Sequence, residues 1–154
     1  MAGRREHDAA GVVTGVATAL LTTRRKASAY ELVAEALGGA FGGRFGSRIP
    51  DVLEPAVHSY HRNVAHSVTF ATAVTVKGKK RAARMQARLR AQADEYAERR
   101  AASGDWFEQI VLWIAETACR VAGFVAGVIP GYLSHLVLDA GTPRGIPLLS
   151  ARTC

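Results

Sequence analysis

WFEQIVLWIAETACRVAGFVAGVIPGYLSHLVL, Trp106 to Leu138, is the longest apolar stretch of the chain. Asp105-x-x-Glu108 ahead of it has the spacing that caps a helix start. The stretch therefore predicts a long helix, with a bend near Pro130. Within it Val121 to Leu138 runs 18 residues without Asp, Glu, Lys or Arg, though it contains Ser134 and His135. A membrane-spanning helix needs about 20 mostly apolar residues, so this run stands at the threshold.

Working outward, Ala9 to Leu21 (AAGVVTGVATALL) is a small-residue helix with Gly11 and Gly15 on one face. Ser28-Ala-Tyr-Glu31 is a capping box, and the helix it opens runs into GGAFGGRFGSRIP. That glycine run fits either a close-packed helix or an irregular loop. Pro50 and Pro55 read as boundaries. His61 to Val76 predicts another helix, broken at Gly78. Lys79 to Arg100 is a charged helix with Met85, Leu89, Gln92 and Tyr96 as its weak apolar stripe. GIPLL is an extended tail. No run alternates strictly enough for a strand, so the pattern predicts an all-α fold: a compact bundle of about four to six helices with small-residue packing, partly membrane-associated.

The 154 residues make one domain, 1–154, with a basic helical insertion at about 77–104. Cys119 and Cys154 are too few and too far apart for a disulfide framework or a cysteine-type zinc site. No signal peptide is evident at the start of the sequence. The net charge of +7, from 20 basic against 13 acidic residues, favours anionic partners such as phospholipid head groups, nucleic acid or phosphorylated metabolites. Lys79, Lys80, Arg81, Arg84 and Arg88 concentrate that charge. They form either an anion-binding surface or a solvated helix face. The interleaved aromatics of a single-strand nucleic-acid binder are missing, so nucleic acid is the weaker partner.

The chemistry lies with the histidines. His135 and Asp139, four apart, share one face of the most apolar helix. A carboxylate left unpaired there is costly, and a bound cation removes that cost. A His–Asp hydrogen bond inside a core fits the pair equally well. His58, His61 and His66 add three imidazoles within nine residues, and Asp51 stands between Pro50 and Glu54. Each is ambiguous alone. Together they supply the mixed nitrogen and oxygen ligands of a catalytic zinc or a dinuclear site.

At these residues the chain resembles the YdjM-type family of membrane-associated, metal-dependent hydrolases. The resemblance rests on His7 in EHDAAGVVTG, on Ile49-Pro50-Asp51, on His61-Arg62-Asn-Val-Ala-His66-Ser67 and on GYLSHLVLDAGTPRGIPLL from Gly131 to Leu149. It implies His7, Asp51, His61, His66, His135 and Asp139 as metal ligands. Many family members carry a second Asp and a His after the Pro-Asp turn, where this chain has Leu53 and Glu54. The family is in turn similar to zinc-dependent phospholipases C. The resemblance thus implies phosphoester hydrolysis, on a phospholipid or a nucleotide-like substrate, with one or two divalent ions, zinc first. Glu54 or His58 would act as general base and Arg62 or the basic helix would hold the phosphate. Residence at the inner (cytoplasmic) membrane is expected, with the cytoplasm as the alternative. The other function class is a non-catalytic membrane- or DNA-associated interaction protein with a structural metal site.

Overall fold

The computed structural model describes residues 3–24, 27–55, 64–142 and 146. It is all-α: α1 (Arg4–Thr22), α2 (Ala29–Leu53), α3 (Val68–Ala73), a π turn (Val74–Gly78), α4 (Lys79–Ala102), α5 (Trp106–Arg120) and α6 (Gly123–Ala140). Helices α1, α2 and α6 form the core, and α4 packs chiefly on α5.

The core is built by steps of four residues. The buried positions of α1 are His7, Gly11, Gly15 and Ala19. Those of α6 include Gly123, Gly127, Gly131, His135 and Asp139. Between them α2 presents Glu35, Gly39, Gly43 and Ser47, and beside this column a second one, Gly38, Gly42, Gly46 and Pro50. A strict four-residue step is the ridge along which helices cross at a steep right-handed angle, and glycines let their backbones touch. A Cβ added at Gly39 or at Gly127 would stand 2.5 Å from a carbonyl oxygen of the facing helix, Gly15 and Gly39 respectively. The run GGAFGGRFGS is therefore helix. Glycine's poor helix propensity is overridden because only glycine admits the neighbouring backbones this closely.

Pro50 does not act as a boundary. α2 continues past Pro50 for one more turn, and α6 passes through Pro130. Pro50 is buried at the end of the second α2 column, where packing on α6 holds the helix together despite the lost N–H. The break in the apolar stretch falls instead at Val121 and Ala122, between α5 and α6. There Gly123 comes against the Glu35 backbone. Nor does Gly78 break its helix: the π turn carries α3 into α4, with Gly78 beside the Ile129 side chain. The buried face of α4 is Gln86 and Ala93, whereas Met85 is exposed.

Charged residues join the α4–α5 hairpin to the core at the end far from His7. Arg90 Nε donates to Glu35 (2.6 Å), while Arg100 Nε donates to Glu116 (3.1 Å) within the hairpin itself. Arg120 Nη1 donates to Glu31 (2.6 Å), which also pairs with Arg24 and caps α2 through the Ser28 N–H. Burial alone would raise the Glu31 pKa. The Ser28 backbone, Arg24 and Arg120 outweigh that and bring it from 4.5 to about 2. A depressed carboxylate pKa stabilises the fold above its unfolded value, and the contribution is lost as pH falls through the folded one. We expect about 2 kcal/mol to disappear between pH 4.5 and 2. Glu31→Gln should flatten that part of the melting-temperature profile. Equal acid sensitivity in both proteins would refute the assignment.

Large apolar residues stand on the exterior. Val33, Leu37, Phe41 and Phe45 follow one another at four-residue steps along the outside of α2, all exposed. Trp106, Phe107, Ile110, Val111, Trp113 and Ile114 are exposed on α5. The buried hydrophobic residues, by contrast, are mostly alanines. Small residues inside and large ones outside reverse the arrangement of a water-soluble bundle.

Candidate metal centre

Three helix ends and one cap converge at the His7 end of the core. His7 is in the first turns of α1, Asp51 in the last turn of α2, and His135 and Asp139 in the last turns of α6. His66 directly precedes Ser67, the N-cap of α3, whose side chain accepts from the Phe70 N–H. Tyr132, itself buried, donates its hydroxyl to the Ala65 carbonyl (2.6 Å) and fixes that segment. The ligand candidates on α1 and α6 are the next steps of the glycine columns, so backbone contact sets their positions.

His66, His135 and Asp139 are almost wholly buried, and Asp51 is 57% exposed. His66 Nε2 lies 3.7 Å from Asp51 Oδ1 and 3.7 Å from Asp139 Oδ2. His135 Nε2 lies 3.6 Å from Asp51 Oδ1 and 3.4 Å from Asp139 Oδ2. Hydrogen bonds are shorter than most of these separations. Two ligands at about 2.0–2.1 Å from a tetrahedral zinc are about 3.3–3.4 Å apart, so each of these four pairs is near the separation of two ligands of one ion. The other Asp139 oxygen, Oδ1, is 3.6 Å from His7 Nε2, whose ring stacks on His135 with centroids 3.9 Å apart. The donors group as His7, His135 and Asp139 and as Asp51, His66 and His135, two sets sharing one histidine. Neither ring nitrogen of His135 makes a hydrogen bond among the described residues, although both are buried. Buried polar atoms of that kind are costly unless something else meets them.

Glu54 plays a different part. Its Oε2 is 3.0 Å from His66 Nδ1, and its Oε1 accepts the Val64 N–H. It thereby turns His66 so that Nε2 faces the cluster, the arrangement in which an outer carboxylate sets a ligand's tautomer. Burial pushes the His66 pKa down, and Asp51, Glu54 and Asp139 more than reverse this, leaving it above 6.5. Asp51 is held below the usual carboxylate range, first by His66 and further by His135 and His7.

The family model of the YdjM inner membrane proteins matches residues 1–150. The chain belongs to the YdjM family. No curated protein and no solved structure matches it. In this YdjM chain the segment Trp106–Ala140, α5 and α6 together, is long and apolar enough to cross a membrane, and half of its most apolar window is buried in the bundle. A buried His/Asp group able to hold a metal is present.

Five of the six ligand candidates, His7, Asp51, His66, His135 and Asp139, are thus brought together. The sixth, His61, lies outside the described residues, as do His58 and Arg62. Lys79, Lys80, Arg81, Arg84 and Arg88 are exposed on α4, which leads away from the centre. Lys79 is eleven residues past Val68, about 16 Å of helix, and Arg88 is farther still. Absent from the sequence reading were Arg44 and Arg48, which pair with Asp8 next to His7. Their four-residue spacing and the acid beside His7 were the available signal. Glu54→Gln is expected to keep the fold and weaken metal affinity about 10- to 100-fold, measured by competition with a chromogenic chelator. Unchanged affinity would remove Glu54 from the site.

Proposed function

We propose that this YdjM chain is a divalent-metal hydrolase of phosphoesters, working against the inner membrane. The reading is carried by the His66 and His135 nitrogens, each standing 3.4–3.7 Å from Asp51 and Asp139 carboxylate oxygens. Mixed imidazole and carboxylate donors at these separations suit zinc. The exposure of Asp51 favours catalysis over a structural role, because structural zinc sites are closed and catalytic ones keep an open position. When bound, the ion supplies the Lewis acid that polarises a phosphoryl oxygen and activates water.

The chain's own residues do the rest. Asp139 offers one oxygen to each half of the cluster, which fits either one or two ions. Glu54 orients His66, which leaves His58 as the proposed general base and Arg62 as a proposed phosphate contact. The apolar outsides of α2 and α5 would lie against lipid while the charged α4 faces water or anionic head groups. That placement suits a bundle resting on or partly in a bilayer.

Zinc-loaded protein is expected to cleave a chromogenic phosphodiester or a phospholipid. Chelation should abolish the reaction and added zinc restore it. Protein that carries its metal stoichiometrically yet cleaves neither class, in detergent or in vesicles, would overturn the enzymatic reading.

A further inference from the structure

Beside the metal centre stands a group of charges that the cluster does not use. Asp8 follows His7 on α1, and Arg44 and Arg48 lie one turn apart on α2. Arg48 grips Asp8 with two donors, Nε to Oδ1 (2.8 Å) and Nη2 to Oδ2 (2.5 Å), while Arg44 Nε reaches Oδ2 at 3.3 Å. One carboxylate thus orients two guanidinium groups and leaves a net positive charge. Arg48 Nη1 and both Nη atoms of Arg44 have no hydrogen-bond partner among the described residues. The side chains are 36% and 53% exposed, so these donors face outward.

Their position ties them to the metal centre. At 100° per residue Arg44 and Asp51, seven apart, lie on the same side of α2, and Arg48 lies within about 60° of Asp51. Arg48 is about 4.5 Å of helix rise from Asp51 and Arg44 about 10.5 Å. Asp51 is the exposed member of the ligand cluster, so the centre opens on the side of α2 that carries the two arginines. Asp8, on the first turns of α1, draws both guanidinium groups towards the end of the bundle where the metal ligands sit. Arg44 is flanked by Phe41 and Phe45, both exposed.

We infer that Arg44 and Arg48, splayed by Asp8, form a phosphate cradle that seats a phosphoester at the mouth of the metal centre. Arginine forks match pairs of phosphate oxygens, and the unused nitrogens number three. The inference rests on the hydrolase reading, and its ligand is a phosphate group from either of two sources: a phospholipid head group or a soluble phosphoester. The neighbouring phenylalanines leave room for the lipid source, since an arginine on an apolar helix extends its charged end to the head-group level.

The test uses full-length, zinc-loaded protein in detergent or nanodiscs. Arg44→Gln is the first variant because it leaves the two-donor Asp8–Arg48 pair intact; Arg48→Lys is the second. Metal content is measured in each, then equilibrium binding of inorganic phosphate by calorimetry, then binding to phosphatidylglycerol vesicles against phosphatidylcholine vesicles. Arg44→Gln should retain its zinc and bind phosphate about 10- to 100-fold more weakly, the usual effect of losing a charge-assisted contact. Arg48→Lys should also weaken it, since a point charge does not replace a fork. Weakened binding to both phosphate and anionic vesicles supports the cradle with a lipid source; weakened binding to phosphate alone supports it with a soluble one. Wild-type affinity for both probes in zinc-retaining variants overturns the cradle and leaves the hydrolase reading intact. Wild-type protein that holds no metal instead removes the hydrolase reading itself, and the cradle with it.

Discussion

His135→Ala is expected to empty the metal centre. Wild-type protein should carry about one or more divalent ions per chain by elemental analysis, and the variant close to none. His135 belongs to both candidate donor groups, so its loss opens the two halves together. Removing an outer partner of a ligand weakens metal sites about 10- to 100-fold, and removing a shared ligand must exceed that. The fold should survive, because the neighbouring contacts are between backbones: Gly131 against Gly43 and Gly127 against Gly39. The His135 nitrogens make no hydrogen bond among the described residues, so the substitution strands no hydrogen-bond partner. A folded variant that retains full metal would locate the ion elsewhere. A wild-type protein without metal would leave the cluster as a buried polar network only.

Gly43→Val should have the largest effect on stability. Gly43 is where the three core backbones meet: its added Cβ would strike the Gly11 carbonyl, and a Cβ at Gly131 would in turn strike Gly43. Backbone cannot rotate away as a side chain can, so the helices must separate. Overpacking of ordinary cores costs about 1–3 kcal/mol, and a clash with the Gly11 and Gly15 backbone should exceed about 4. Gly104→Ala is the control, with nothing within 4 Å of its Cβ, and should change stability by less than about 0.5 kcal/mol. Thermal or denaturant unfolding of both variants decides the matter. Comparable midpoints would mean that the helices tolerate a wider spacing than the structure has.

How much of this was legible in the sequence depends on the residue. His135 and Asp139 stand four apart in an apolar helix, and that spacing was visible in the sequence. Asp51 and His66 were nameable, but periodicity could not say that they meet. The signal that would have joined them is the step of four itself. His7, Gly11, Gly15 and Ala19 keep it, as do Gly123, Gly127, Gly131, His135 and Asp139. Glycine and histidine are not apolar residues in the usual template, so the columns escape a search for hydrophobic faces. Pro50 misled for a related reason. Pro50 and Pro130 are poor helix residues locally, and only the helices packed around them keep the chain helical. The orienting role of Glu54 needed three dimensions, since its partners, Val64 and His66, lie ten and twelve residues on.

The touching backbones also bear on ionic radius. A cage whose ligands hang from flexible loops can swell to admit a larger ion. Here His7, His135 and Asp139 hang from helices already in van der Waals contact, which can neither approach nor part. Calcium needs about six to eight oxygens at 2.3–2.6 Å, a wider shell than two or three imidazoles and two carboxylates on fixed axes can supply. The glycines, none of which touches an ion, would thus discriminate between metals by holding the aperture constant.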